Sequence, residues 1–206
     1  MEDLALGIGD TVRVYKANMI IPQLSDNLTR SGNIEIPEVC PVCGGPTRIR
    51  DDEGTKTLIC TNPDCLAKHV KSFEHFVSRD ALNIEGLSES GLLKLIGTGA
   101  IRRFPDLFRL ENHRDEIVSL EGFGEKSYDN LVASAERASH TTPARLLYGL
   151  GVPGIGVATS GVIARACRNN WNEIQNLDED ALKDIDGVGA VMASDYTAFF
   201  ADEDNK

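Results

Sequence analysis

Apolar positions recur at two different spacings along the 206-residue chain, and the change separates a β region from a helical one. In residues 10–17 the alternation places Val12 and Val14 on one face of a predicted strand. A second short strand is predicted at residues 19–24, where Pro22 marks its end or an exposed edge. Two short strands cannot bury a core alone, so they indicate the remnant of a larger β domain or an appendage docked on the rest.

From about Ser72 onward, apolar residues recur three and four positions apart, which is typical of one face of a helix. Gly, Pro, Asn or Asp separates most of these runs, which predicts about eight to ten short helices and almost no strand after residue 65. Ser88 and Asp178 are predicted N-caps, and Pro143 lies near a predicted first turn. The polar residues 25–39 are predicted to form a loop. The chain is therefore predicted to be mainly α.

A Gly-apolar-Gly pattern occurs three times in the helical part and opens an apolar-periodic run each time. The copies are residues 122–124, 154–156 and 187–189, so their first glycines lie 32 and 33 positions apart. A degraded fourth copy begins at Gly86, where Ser88 stands in place of the second glycine. A fixed repeat length indicates a repeated structural unit.

Each copy predicts a tight turn between two helices, because glycine adopts backbone angles closed to other residues and permits a close approach. The middle residue is predicted to point back into the core. The N–H groups that start the second helix then point outward at the positive end of its dipole, which favours phosphate. Such turns at fixed spacing fit duplex DNA, bound without sequence preference. The alternative is that the glycines only cap one helix and start the next.

Net charge is −11, which by itself argues against a nucleic-acid partner. The charge is uneven, however: residues 171–206 carry ten acids and two bases, whereas residues 137–172 carry four arginines and no acid. A locally basic stretch therefore lies inside an acidic chain. The predicted DNA-binding residues combine the turns with nearby bases and are Gly122, Phe123, Gly124, Lys126, Gly154, Ile155, Gly156, Gly187, Gly189, Arg145 and Arg165. The copies at 86 and 187 are the weaker predictions, because one lacks a glycine and the other lies in the acidic tail.

Four of the five cysteines fall within 26 residues, at Cys40, Cys43, Cys60 and Cys65. Two close pairs of cysteines separated by a longer segment favour structural zinc held by four thiolates, with no open coordination position. A redox pair or buried cysteines without metal are the alternatives. Residues 46–60 predict a small hairpin with a DDEG turn, as in a zinc ribbon. Cys167 is predicted to be a core residue. No run has the length of a membrane span and no segment is typical of a signal peptide, so a cytoplasmic protein without a membrane partner is expected.

Together these residues resemble the C-terminal half of bacterial NAD-dependent DNA ligases, from about residue 7 to 201. GDTVRVYKANMIIPQ resembles the last strands of that family's OB-fold, and CPVCG and CTNPDCLAK resemble its four-cysteine zinc finger. HFVSRDALNIEGL is similar to the stretch before the first helix-hairpin-helix, and LYGLGVPGIGVATSGVIARAC and IDGVGAVMASDYTAFF resemble later hairpins. The resemblance implies an OB-fold end and linker at 1–33, a finger at 34–69, a helix-hairpin-helix domain at 70–201 and an acidic tail at 202–206.

The resemblance also implies a function in replication and repair. The family seals 5′-phosphate/3′-hydroxyl nicks with AMP taken from NAD, and NAD and Mg²⁺ would be bound outside this chain. The family's nucleophile lies in a Lys-x-Asp-Gly motif that does not occur here, so this fragment should grip nicked duplex DNA, need the remaining ligase domains and be inactive alone. The alternatives are a stand-alone helix-hairpin-helix adaptor of a repair nuclease or junction-binding protein, and a module whose hairpins only pack helices. The two strands at the start favour the ligase, because an adaptor has no use for them.

Overall fold

The computed structural model describes residues 3–52, 54–202 and 205, in two compact units, Met1–Pro63 and Asp64–Lys206. The first unit holds two antiparallel hairpins. Strand β1 (Val12–Ala17) pairs with β2 (Ile21–Asn27), and β3 (Thr47–Asp52) pairs with β4 (Thr55–Cys60). Glu53, in the predicted DDEG turn, lies outside the described residues.

The β1–β2 hairpin is longer than its sequence pattern indicates. Pro22 does not end β2 but pairs with Lys16 inside it, and the strand continues to Asn27, three residues into the predicted loop. A tertiary contact explains the extension: the buried Asn27 amide donates hydrogen bonds to the backbone of Leu4 and to the Asp10 carboxylate, at 3.0 and 2.7 Å. These bonds hold the end of the strand in place.

The second unit is helical, which confirms the predicted mainly α class. No strand occurs among the described residues after Cys60. Its α-helices are α1 (Leu66–Val77), α2 (Glu89–Thr98), α3 (Arg114–Ser119), α4 (Glu125–Ala138), α5 (Pro143–Gly149), α6 (Val157–Ala166), α7 (Trp171–Gln175), α8 (Glu179–Lys183) and α9 (Ala190–Ala201), with 3₁₀ helices at Phe104–Phe108 and Leu110–His113.

The helix ends follow the capping signals. The Ser88 hydroxyl accepts from the Gly91 N–H at 3.2 Å, the Asp178 carboxylate accepts from the Ala181 N–H at 2.8 Å, and Pro143 is the first residue of α5. Helix α1 begins six residues before the predicted Ser72. Its apolar face already includes the buried Val70, which makes the first two turns part of the packed helix.

The buried apolar side chains of this unit form two clusters. The first collects residues between 70 and 138, and the second collects residues between 147 and 200. Helix α5 contributes to both, since Leu146 packs on the first cluster and Leu147 lies inside the second. At Gly149 the helix approaches the loop after α1 so closely that an added Cβ would lie 2.8 Å from a methyl carbon of Leu82.

Tyr196 anchors the second cluster through a buried hydroxyl, which donates to the Ile174 carbonyl at 2.7 Å. Tyr196→Phe removes this 2.7 Å hydrogen bond from a buried carbonyl, so we expect the free energy of unfolding to fall by about 1–2 kcal/mol. Burial also raises the pKa of Tyr196 above its ordinary value of 10.0. A group with a raised folded-state pKa contributes stability that is present below pH 10 and lost as pH rises further.

The measurement is urea unfolding of both proteins between pH 7 and 11. The wild type should lose stability above pH 10, and Tyr196→Phe should lose less of it over the same interval. Equal losses in the two proteins would contradict the proposed titration of Tyr196.

Candidate nucleic-acid interface and metal centre

The four repeated turns have one backbone conformation. Their first residues, Gly86, Gly122, Gly154 and Gly187, have φ values of 91, 88, 75 and 85°, in the left-handed region that favours glycine. The third residue of each turn is extended and is the N-cap of the following helix, which is α2, α4, α6 or α9. The first glycine is exposed in every copy, so the turns lie at the surface of the helical unit.

In the three Gly-apolar-Gly copies, the first turn of the second helix presents N–H groups without a protein acceptor. The first three residues of α4, α6 and α9 donate to no acceptor in the described part of the chain. The glycine N-caps have no side chain that could accept these bonds. Since a helix start carries partial positive charge, these groups are suited to an anion.

The copy at Gly86 is different at the same position. Ser88 replaces the N-cap glycine, and its hydroxyl accepts the Gly91 N–H that the other copies leave open. One donor is therefore already satisfied within the protein. This geometry agrees with the weaker role predicted for that copy.

The middle residues of the turns pack inward. Ile155 is buried, and the half-buried Phe123 ring lies over Gly91, where an added Cβ would be 3.4 Å from the ring. The N–H groups of Phe123 and Ile155 donate to the carbonyls of Leu120 and Val152, at 2.9 and 3.1 Å. These two predicted contact residues therefore shape the turns, and their contact with DNA stays a prediction.

The turns lie in adjacent pairs. Phe123 of the second turn covers α2, which follows the first turn. Met192 of α9, which follows the fourth turn, lies beside Gly154 of the third, and a Cβ added at Gly154 would be 3.2 Å from Met192 Cγ. A cleft of about 220 Å³ separates the first two turns, and Lys94 and Asn130 contribute to its walls. The sequence repeat alone does not indicate this pairing, because it depends on contacts between helices.

The predicted basic residues have different surroundings. Lys126 is exposed on the first turn of α4 and forms no ion pair with a described residue. Arg145 donates to the backbone carbonyl of Arg79, so its guanidinium joins α5 to the loop after α1. Arg165 is exposed on α6, and its guanidinium lies over Gly161.

Acidic side chains near the turn at Gly122 have partners that the sequence did not indicate. Arg114 forms an ion pair with Glu125, the first residue of α4, and its guanidinium lies 5.6 Å from the centre of the Tyr128 ring. Lys94 donates to the Glu121 carbonyl and lies 3.9 Å from its carboxylate. Two positive charges near this turn, Arg114 and Lys94, are therefore partly committed within the described part of the protein, whereas Lys126 is not.

The four clustered cysteines converge on one point. The sulfur atoms of Cys40, Cys43, Cys60 and Cys65 all lie within 4.8 Å of one another, and those of Cys43 and Cys60 are 3.6 Å apart. A disulfide would need about 2.05 Å, whereas four thiolates around tetrahedral zinc at about 2.3 Å lie about 3.8 Å from each other. The residues therefore fit a four-thiolate metal site, and this cluster could hold a metal ion.

Local backbone geometry prepares the cluster for that role. N–H groups of Cys43 and Val42 donate to the Cys40 sulfur and lower the pKa of this thiol, and the Gly45 N–H donates to Cys43 at 3.4 Å. The thiolate is the form that binds metal. Cys167 lies apart from the cluster in the second apolar core, where burial raises the pKa of its thiol, in agreement with its predicted core position.

Comparison with known proteins identifies relatives along the whole chain. Residues 145–206 match the helix-hairpin-helix motif. Proteins named DNA ligase from Ruminiclostridium cellulolyticum and Lachnoclostridium phytofermentans are 53% and 50% identical over all 206 residues, and one from Fusobacterium nucleatum is 37% identical over 204. The chain spans 31, 32 and 29% of the length of these relatives.

Within the part of the chain that the structure describes, no helix has the length and apolar character that crossing a bilayer requires.

The β hairpins, the cysteine cluster and the paired turns occur together in a chain whose every segment matches the same relatives. Over its whole length, the chain is therefore similar to a segment that makes up about a third of these proteins named DNA ligase, and its residues 145–206 match the helix-hairpin-helix motif.

Proposed function

We propose that this chain is the DNA-gripping part of a bacterial NAD-dependent DNA ligase that acts in the cytoplasm in replication and repair. It holds duplex DNA around a nick through the phosphates, without reading sequence. The observation that carries this proposal is the row of open N–H groups behind Gly122, Gly154 and Gly187, each at the start of a helix of ten or more residues. Main-chain donors of this kind bind phosphate and leave base edges unread.

The four turns have unequal roles in this proposal. The turns at Gly122 and Gly154 bind the duplex most strongly, and Lys126, Arg145 and Arg165 add positive charge near them. The turn at Gly187 is followed by open amides but lies in a strongly acidic stretch, so its contact is weaker. At Gly86 the Ser88 hydroxyl competes with phosphate for the Gly91 N–H.

We further propose that the cysteine cluster binds zinc as a structural ion. All four positions would be thiolates, so zinc bound there would bring the chain segments together and would have no open position for a substrate. Residues 1–33 are proposed as the end of an OB-fold, 34–69 as the finger, 70–201 as the helix-hairpin-helix domain and 202–206 as an acidic tail. Adenylation, NAD and Mg²⁺ would belong to ligase domains outside this chain.

The test is a fluorescence-anisotropy titration of the whole chain with intact and nicked 24-base-pair duplexes of unrelated sequence, between 50 and 200 mM KCl. We expect binding to every duplex, with log K falling linearly as log salt rises, because each neutralised phosphate releases condensed counterions with a slope of about −0.9. The nicked duplex should remain unsealed with NAD and Mg²⁺ until the remaining part of a ligase is added.

Gly99→Ala provides a control for the same titration, since Gly99 has the same positive φ at the end of α2 but does not precede a helix start. This variant should bind DNA as the wild type does. Absence of duplex binding at 50 mM KCl would refute the DNA-gripping role and leave the turns as packing devices. Sealing of the nicked duplex by this chain alone would refute the proposal that adenylation belongs to ligase domains outside it.

A further inference from the structure

Gly161 is a glycine in the interior of α6, where alanine would make a more stable helix. Its backbone is helical and its surroundings are open. Among the described residues, the only side chain within 4 Å of an added Cβ is that of Arg165, whose Nη1 would lie 3.3 Å from it. Because Gly161 has no methyl group, the guanidinium of Arg165 can lie against the helix at this position.

The position of Arg165 follows from helix geometry. Helical side chains lean toward the N-terminus and cover the residue four positions earlier, and here that residue is Gly161. Val157, the first residue of α6, lies a further four residues back, about 6 Å along the axis. The exposed guanidinium thus extends along the helix surface toward the open N–H groups behind the turn at Gly154.

The charge of Arg165 has no counterpart inside the described protein. It forms no ion pair with a described residue, and residues 137–172 contain no acid. At the turn after Gly122, by contrast, Arg114 and Lys94 are both close to carboxylates. In a chain of net charge −11, an exposed arginine that lies along the helix without a carboxylate beside it is suited to an external anion.

We infer that Gly161 is a positioning residue that lets Arg165 lie against α6 and contact a DNA phosphate next to the one bound by the turn at Gly154. This inference rests on the proposed DNA-gripping function and assigns a charge-assisted contact to that turn. A methyl group at 161 would push the guanidinium outward from the helix surface by a few tenths of an ångström, while leaving the turn itself unchanged.

Four variants of the whole chain test the inference by duplex titration and thermal melting: Gly161→Ala, Arg165→Ala, the double variant and Gly97→Ala. Gly97 is the matched control, since it lies in α2 and an added Cβ there meets nothing within 4 Å. We expect Arg165→Ala to weaken binding about tenfold and to lower the slope of log K against log salt by about 0.9. Gly161→Ala should weaken binding about threefold and also lower the slope, even though its melting temperature stays the same or rises. Gly97→Ala should bind as the wild type does.

The double variant separates a positioning role from a direct one. If Gly161 acts through Arg165, adding Gly161→Ala to Arg165→Ala causes no further loss. A further loss would mean that the methyl group meets the DNA itself, and binding of Gly161→Ala equal to that of Gly97→Ala would mean that the glycine positions nothing. Either result overturns the inference. The proposed function fails separately, if the wild type binds no duplex.

Discussion

Cys60→Ser, or removal of metal by a chelator, is expected to unfold residues 34–69 while the rest of the helical unit stays folded. The physical reason is that the first unit has almost no apolar core: among residues 3–52 and 54–63, Cys40 is the only buried apolar side chain. Ile49 and Leu58 in its hairpin are 46 and 43% exposed. Zinc bound by four thiolates contributes about 10–16 kcal/mol of apparent binding free energy to such small modules, and no packing in this unit replaces it.

Amide hydrogen exchange, read by mass spectrometry, measures the effect segment by segment. Peptides from β3 and β4 should exchange fully within seconds after chelation, whereas peptides from α4 and α9 should stay protected. Cys167→Ser is the matched control, because it removes a buried thiol outside the cluster and should retain one zinc per chain. Unchanged protection of the hairpin in the metal-free protein would show that the cysteines do not hold it together.

Gly122→Val and Gly154→Val are each expected to weaken duplex binding at least tenfold. Valine at a positive φ costs about 1–3 kcal/mol of strain, which the turn relieves by rotating its backbone and turning the amides of the next helix away from the ligand. Gly86→Val should weaken binding less, since Ser88 already uses one donor of that copy. Titrations at 100 mM KCl give the ratios of the dissociation constants.

Gly99→Val separates this effect from a general loss of stability. Its φ is 81° and it is strained by valine in the same way, but it ends a helix and exposes no N–H row. The variant should melt at a lower temperature and keep its affinity while it is folded. Equal affinity losses for Gly86→Val, Gly122→Val and Gly154→Val would contradict the unequal roles proposed for the turns.

The features that the sequence predicts correctly are those that depend on residues close to one another in the sequence. A left-handed φ favours glycine, so Gly122, Gly154 and Gly187 mark their turns without any tertiary information. The caps at Ser88 and Asp178 are equally local. The boundaries that differ depend on distant contacts: Asn27 prolongs β2 because it bonds to residues more than fifteen positions away.

The candidate site divides in the same way. Convergence of the four cysteines is predictable from spacing alone, because two close pairs of cysteines separated by a longer segment have the ligand spacing of a four-thiolate metal site. The pairing of Arg114 with Glu125 and the tie between Arg145 and the backbone of Arg79 are not, since each joins separate elements. The sequence pattern does not show which charged side chains the fold leaves without an ion-pair partner. Those without such a partner are the arginines that stay available for phosphate.

Gly149 allows close packing between the two halves of the helical unit, which carry the two pairs of turns. Helix α5 is shared by both apolar clusters, and an added Cβ at this glycine would lie 2.8 Å from a methyl carbon of Leu82 in the earlier half. A bulkier residue at this position is expected to move the two halves apart and so to change the spacing between the two pairs of turns. Because a double helix has a constant pitch, this spacing would determine which phosphates of the proposed duplex both pairs of turns can bind at once.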